Sequence, residues 1–253
     1  MAQGMEKVLE WDSNTPTVVW LEGEPLKVTG NCLDIHLITR GEKTASLFEP
    51  NGPKETAQHI TYNKWHVRVC KFADILKSQG IKKGDRVGLY LTMIPELGLS
   101  VLACARIETI HSMVFTGFSA AVLSNRINDC NCKMVICSYG SYRGAKILDL
   151  KSMVDEALEQ CDIKTVLMVK RTEIKVPMKK RRNFWVAAVL ENASKDCPIE
   201  IMETEDTLFI LYTSGSIGKP KGMLHTTAGS RVDTAYTFKT YFNIERVTSI
   251  GAR

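Results

Sequence analysis

No run of about 18 consecutive apolar residues occurs in this sequence, so it holds no candidate membrane-spanning helix. The opening Met-Ala-Gln-Gly-Met-Glu-Lys has no apolar signal core and no small-residue cleavage site, and a cytoplasmic location is expected. Internal repeats and low-complexity tracts are absent. Apolar residues are not scarce (44%) and charge does not dominate (24%), which excludes a disordered tail, a collagen and a coiled coil. Cysteine is plentiful at eight, yet the metal-binding pattern is missing: Cys130-Asn131-Cys132 with Cys137 has neither a second Cys-x-x-Cys pair nor a nearby His. No metal site is expected. The thiols are scattered through apolar segments and read as reduced and mostly buried.

What is present is enough chain to fold unaided. The 253 residues suffice for one large domain or two ordinary ones, and a chain of this size buries roughly 70–75% of the surface its unfolded form exposes. The net charge of +5 is local in origin, because Lys164–Arg182 carries eight Lys and Arg against the single Glu173. The run Lys179-Lys180-Arg181-Arg182 invites a nucleic-acid or membrane reading, but a short charge run is more simply a solvated loop between a strand and a helix. Neither nucleic acid nor membrane is expected as a partner.

From Tyr62 onward the hydrophobic period alternates. Thr61 is placed to cap a helix over Tyr62–Gln79, with Trp65, Val69, Phe72, Ala73 and Leu76 on one face and Gly80 and Gly84 ending it. A buried strand follows at Asp85–Leu91, and Pro95 opens a helix to about Glu108. His111–Phe115 reads as a strand, Ser119 caps a helix to about Asn128, and Lys133–Ser138 is another strand. A helix over about Leu148–Gln160, strands at Thr165–Val169 and Thr207–Tyr212, and a helix at Trp185–Asn192 complete the series. This alternation predicts an α/β fold, a doubly wound, mostly parallel sheet with helices on both faces and ligands beyond the carboxyl ends of the strands. Residues 1–60, rich in Pro, Gly, Asn and Thr, read as an extended N-terminal arm wrapping a domain that covers 61–253.

The chemistry concentrates after the strand at Thr207–Tyr212, in Thr213-Ser214-Gly215-Ser216-Ile217-Gly218-Lys219-Pro220-Lys221-Gly222. Three glycines let the backbone approach an anion and turn its N–H groups inward. Thr213, Ser214 and Ser216 add hydroxyl donors, and Lys219 and Lys221 add charge, an inventory suited to a polyphosphate. A polar, Gly-rich hairpin is the alternative. The loop is not a Walker A motif, because Thr213 stands where its first glycine belongs and Pro220 where Ser or Thr does.

This loop resembles the signature Thr-Ser-Gly-Ser-Thr-Gly-x-Pro-Lys-Gly of the acyl-adenylate-forming enzymes. Asn31–Asp34, Lys83–Val87, Met93–Glu96, Leu102–Ile107, Gly117–Ser119 and Leu224–Gly229 resemble the acetyl-CoA synthetases among them, and the similarity runs from about Val8 to Asn243. The resemblance implies an AMP-forming acetate–CoA ligase: a carboxylate attacks the α-phosphate of ATP with Mg²⁺, and coenzyme A then takes the acyl group. It implies that Thr213, Ser214, Gly215, Ser216, Gly218, Lys219, Lys221 and Gly222 hold the β- and γ-phosphates. It also implies that Arg143-Gly144-Ala145-Lys146, matching an Arg-Gly-x-Lys/Arg segment, grips the phosphate end of the coenzyme A nucleotide. Propionate or another short-chain acid is the alternative substrate, and a non-catalytic remnant binding a polyphosphate or partner chain is the alternative function. His225 is read either as facing the acyl pocket or as a packed strand residue, and His111 as structural.

The resemblance also breaks in places. Ile217 stands where the family has Thr, a lost hydroxyl that implies a roughly ten- to 150-fold weaker loop. Thr116 replaces a glycine in Phe115–Ser119, so a left-handed backbone there is expected to be strained, and Glu108-Thr109-Ile110 replaces a smaller sequence and is expected to disturb packing. The resemblance places the catalytic residues, the adenine and ribose contacts and the Mg²⁺ ligand beyond Arg253. The 253 residues are therefore expected to be an inactive N-terminal part of a synthetase, prone to self-association through surface left uncovered.

Overall fold

The computed structural model describes residues 7–15, 17–23, 25–51, 55–144, 146–214 and 218–242. Before Tyr62 the chain forms two small hairpins and two short helices: β1 (Lys7–Asp12) with β2 (Thr17–Glu22), α1 (Val28–Cys32), α2 (Leu37–Arg40), then β3 (Thr44–Phe48) with β4 (Gln58–Thr61). The arm thus has local structure that its weak periodicity did not announce. The remainder alternates: α3 (Tyr62–Ser78), β5 (Arg86–Tyr90), α4 (Pro95–Arg106), β6 (Ile110–Met113), α5 (Ala120–Asp129) and β7 (Met134–Ser138). A ribbon of β8 (Gly140–Arg143) and β9 (Lys146–Asp149) interrupts before α6 (Leu150–Ala157), β10 (Thr165–Val169), β11 (Asn183–Trp185), α7 (Val186–Glu191), β12 (Thr207–Thr213), β13 (Lys221–Thr226) and α8 (Thr227–Thr240).

Local chemistry sets the helix ends. Thr61 Oγ1 accepts from the Lys64 N–H at 3.3 Å, Ser119 Oγ from Val122 at 3.4 Å, and Pro95 occupies the first turn of α4. Gly80 and Gly84 follow α3 with φ of +82° and +75°, a region open to glycine at little steric cost. Asp149, rather than a residue further upstream, caps α6, its Oδ1 accepting from Ser152 N–H at 3.0 Å. The reading of a helix from Leu148 therefore starts two residues early.

Seven strands form one sheet in the order β11-β10-β7-β5-β6-β12-β13, parallel except for β13. Alternate residues of β7 explain why both faces must be covered. Met134 and Ile136 join Val69, Phe72, Leu99 and Val186 from α3, α4 and α7, whereas Val135 and Cys137 join Leu123, Ile127, Leu150 and Val154 from α5 and α6. A strand buried on both sides shows no apolar–polar alternation, which is how parallel strands are expected to read. This is the doubly wound, mostly parallel α/β sheet expected from the pattern. All eight cysteines are free thiols, six of them buried.

The arm is fastened by a buried cation. Arg106, 3% exposed at the end of α4, makes two 3.1 Å bonds to the Asp34 carboxylate and donates through Nε to the Cys197 carbonyl at 2.6 Å. His66 Nε2 lies 3.3 Å from the same carboxylate. A fork-to-fork pair of this kind fixes geometry as well as charge. Leu26 pairs with Met202 through two backbone bonds at 2.8 and 3.0 Å, tying the arm to the segment that leads into β12. Removing one partner of a buried pair leaves the other uncompensated, so Asp34→Ala is expected to cost about 3 kcal/mol. A urea midpoint within experimental error of the parent would show that Arg106 does not depend on Asp34.

Candidate functional site

In a doubly wound sheet the ligand crevice opens where neighbouring strands send their helices to opposite faces. Here β5 leads into α4 on the face shared with α3, while its neighbour β6 leads into α5 on the other. The carboxyl ends of β5, β6 and β12 therefore share one edge of the sheet. Tyr90, the last residue of β5, is fully buried, and its hydroxyl donates toward the Phe118 carbonyl at 3.0 Å and the Thr116 carbonyl at 3.3 Å. This contact pins the turn after β6. Burial pushes the Tyr90 pKa up to about 12, keeping it the neutral donor these carbonyls require.

Thr116 does not adopt the left-handed backbone expected of a glycine replacement. Among the described non-glycine residues only Leu21, Glu108, Asn131 and Arg181 do. The strain lies instead at Glu108, with φ +55° and 4% exposure. Its Oε2 sits 2.5 Å from Lys83 Nζ, its Oε1 has no partner, and burial raises its pKa. Glu108 thus carries a buried carboxylate on a left-handed backbone.

The polyphosphate candidate is the tip of the β12–β13 hairpin. Thr213 and Lys221 stand directly opposite each other, as do Tyr212 and Gly222, so the Thr213 hydroxyl and Lys221 ammonium leave the ribbon on one face. Gly218 has φ +104°, and Thr213, Ser214, Lys219 and Lys221 are exposed. Gly215, Ser216 and Ile217 lie outside the described residues. The hairpin that served as the alternative to an anion cradle is present, and it delivers the loop's donors to the carboxyl edge. Gly222 serves a packing role as well: a Cβ there would lie 3.2–3.3 Å from the Tyr212 ring and Ile210 Cγ2. Tyr212 anchors the loop on α5, its hydroxyl bonded to the Asp129 carboxylate and 3.1 Å from Cys130 Sγ. The Arg126 guanidinium lies 4.4 Å from the Phe118 ring and 5.1 Å from the Tyr212 ring, joining the turn after β6 to the stem of the loop.

Arg143 and Lys146 are likewise brought together, as a directly opposed pair flanking a two-residue turn in which Gly144 has φ +59°. Ala145 lies outside the described residues. Like charges in opposed positions repel, and among the described residues neither side chain has an acidic partner; the same holds for Lys219 and Lys221. The two cationic tips follow β7 and β12, three strand spacings apart, or about 14 Å at their bases.

The two histidines are packed. His225 on β13 stacks on Phe209 with ring centroids 4.4 Å apart and a 16° interplanar angle, which decides for the strand-residue reading. His111 is buried in β6 beside Phe209, its Nδ1 without a partner. Tyr90, Arg126 and Tyr212 had no role in the sequence reading, since each acts through a distant contact that no local motif marks.

The family described as AMP-binding enzyme matches residues 37–250. The chain belongs to that family. It is 49% identical over 225 residues to acetyl-coenzyme A synthetase 2 of Pseudomonas aeruginosa, covering 88% of this chain and 35% of that protein. It is 47% identical over 237 residues to the enzyme of the same name from Pseudomonas putida, covering 93% of this chain and 37% of that one. Acetoacetyl-CoA synthetase from Streptomyces lividans superposes with a TM-score of 0.86 at 20% identity, over 95% of this chain and 36% of its own. The chain thus spans about a third of the length of the curated relatives it matches, and shares its fold with the solved structure. No described helix is long and apolar enough to cross a membrane.

Burial pushes the His111 pKa down to about 4 from 6.5. The folded state then binds this proton more weakly than the unfolded state, so the His111 contribution is complete above pH 6.5 and is lost as pH falls toward 4. Stability should decline by up to about 3 kcal/mol across that window, and His111→Phe should flatten the decline. Parallel pH profiles of the parent and the variant in urea unfolding would refute this.

Proposed function

We propose that this chain is the N-terminal part of an AMP-forming acyl-CoA ligase acting on acetate. Its Thr213–Gly222 hairpin holds the β- and γ-phosphates of ATP, and its β8–β9 ribbon holds the phosphate end of coenzyme A. The supporting observation is the pair of hairpin tips at the carboxyl edge, each carrying two cations without acidic partners among the described residues. Phosphoryl chemistry asks chiefly for positioning and charge stabilisation, which N–H, hydroxyl and ammonium donors supply without a nucleophile. In this reading Thr213, Ser214, Lys219 and Lys221, with Gly215, Ser216 and Gly218, neutralise the leaving pyrophosphate. Arg143 and Lys146 converge on one phosphate group of the coenzyme nucleotide, beside the turn at Gly144. The similarity to acetyl-coenzyme A synthetases favours acetate over propionate, and the cytoplasm as the place of action.

Magnesium enters with ATP, but among the described residues no group of three or more His, Cys, Asp and Glu side chains can hold a metal ion. Binding by the two tips separates cleanly. Lys221→Ala should weaken pyrophosphate about tenfold and leave adenosine 3′,5′-bisphosphate unaffected, whereas Arg143→Ala should do the reverse, both read by calorimetry. Equal loss of both ligands in either variant would sink the division of labour.

These 253 residues on their own should not release AMP from acetate and ATP. Two phosphate grips leave the α-phosphate and carboxylate unaligned, and alignment supplies roughly 7–11 kcal/mol of such a barrier. Met223, Leu224, Tyr236, Tyr241 and Phe242 are all about half or more exposed on β13 and beside it, a surface through which the chain should self-associate. The assay is AMP release by purified chain, sized by light scattering, with and without coenzyme A. Turnover abolished by Lys221→Ala would show that the 253 residues are catalytically complete, and a monodisperse monomer would remove the association.

A further inference from the structure

One largely buried cation near the coenzyme ribbon has no part in that reading. Arg171 follows β10 and is 11% exposed at its side chain. Its guanidinium pairs with the Glu55 carboxylate and donates to Asn51 Oδ1 at 3.1 Å. The amide nitrogen of the same Asn51 donates to the Tyr142 carbonyl at 3.4 Å. The guanidinium also lies 5.3 Å from the Tyr142 ring centroid and 5.6 Å from that of Phe48. Three distant segments therefore meet on one side chain: the stretch after β3, the connector after β10, and β8 at the residue just before Arg143.

The ribbon needs such support. Two four-residue strands are marginal as an isolated hairpin, and Arg143, Gly144, Lys146 and Ile147 are all exposed. At the ribbon's base the connector presses close, since a Cβ on Gly140 would lie 2.4 Å from Thr172 Oγ1 and 3.1 Å from Ile174 Cδ1. The Tyr139 N–H also donates to the Val169 carbonyl at 3.2 Å. Base and flank are thus fixed, while Arg143, Gly144 and Lys146 face solvent.

We infer that Arg171 is a positioning residue for coenzyme binding, bracing Tyr142 against the arm so that Arg143 and Lys146 are held converged before a phosphate arrives. The inference rests on the reading of the β8–β9 ribbon as the coenzyme site. A planar guanidinium fork lying over both the Tyr142 and Phe48 rings does this in a way an ammonium does not. Without the brace, the ordering of the ribbon falls on the binding step, and affinity drops although no ligand contact has been removed.

The test uses the whole 253-residue chain, with adenosine 3′,5′-bisphosphate and pyrophosphate as separate calorimetric probes. Arg171→Ala should weaken the bisphosphate about tenfold, leave pyrophosphate within twofold, and raise amide exchange in Gly140–Asp149 alone. Arg171→Lys should restore only part of the loss, because it keeps charge beside Glu55 but loses the stacking and the fork to Asn51. A general loss of stability would move both probes together, and that result overturns the inference. Should Arg171→Ala fail to fold, Asn51→Ala and Tyr142→Leu cut the brace from its other side and are expected to weaken the bisphosphate severalfold; unchanged affinity in both overturns it. Wild-type bisphosphate affinity in Arg171→Ala, with loss in Arg143→Ala, removes the brace and keeps the ribbon as the site. Full affinity in Arg143→Ala, or no measurable binding by the parent chain, removes the ribbon assignment and the brace with it.

Discussion

The parallel ladder that seats β5 between β7 and β6 is the constraint on which the other features depend. Val87, Leu89 and Tyr90 are wholly buried, and β5 bonds to β7 and β6 through registers such as Gly88 with Val135 and Ser112. Parallel pairing forces each return crossing over a face of the sheet, and burial of both faces follows. Since α4 and α5 take opposite faces, the edge above β5 and β6 is left open. Tyr90, at the end of the same strand, holds the turn after β6.

Around that edge the protein mounts its charge on ribbons rather than on helix termini. A hairpin tip projects cations away from the low-dielectric sheet, so their desolvation cost is small until a ligand arrives. Opposed like charges such as Arg143 and Lys146 repel. Ribbons are also pliant, and both are anchored: the β12–β13 hairpin through Tyr212 on α5, the β8–β9 ribbon through Tyr142, Gly140 and Arg171. The two anchors are of one type, an aromatic ring under a guanidinium one or a few residues before the tip.

The basic stretch Lys164–Arg182 shows how charge is used structurally. Arg171 pairs with Glu55, Arg182 with Asp155, and Lys170 with Glu173 at 3.0 Å. Asp155 is shared with Lys151, a fully buried lysine at the start of α6. Part of what reads as a solvated loop therefore holds the sheet's far side together, and burial with pairing explains why these cations are tolerated there.

Where helices carry caps and strands are buried, residue identity determined the local outcome. Thr61, Ser119 and Pro95 start helices because their side chains satisfy or spare orphan N–H groups, a chemistry confined to neighbours in sequence. The unalternating apolar runs of β7 and β10 could be read as buried parallel strands for the same reason. The loop after β12, too, was legible as polar and glycine-rich. Four strands after Tyr62 were not. β11 has three residues and no period, the β8–β9 ribbon is four-residue strands around a polar tip, and β13 is solvent-facing at a sheet edge. β11 and β13 exist because β10 and β12 offer free N–H and C=O groups at the sheet edges, a property of the assembled sheet, while β8 and β9 pair with each other. Tertiary structure alone decided that strain falls at Glu108 rather than Thr116, and that Arg171 reaches Glu55 across 116 residues. Such contacts depend on which segments the packed core brings together, and no local spacing encodes that.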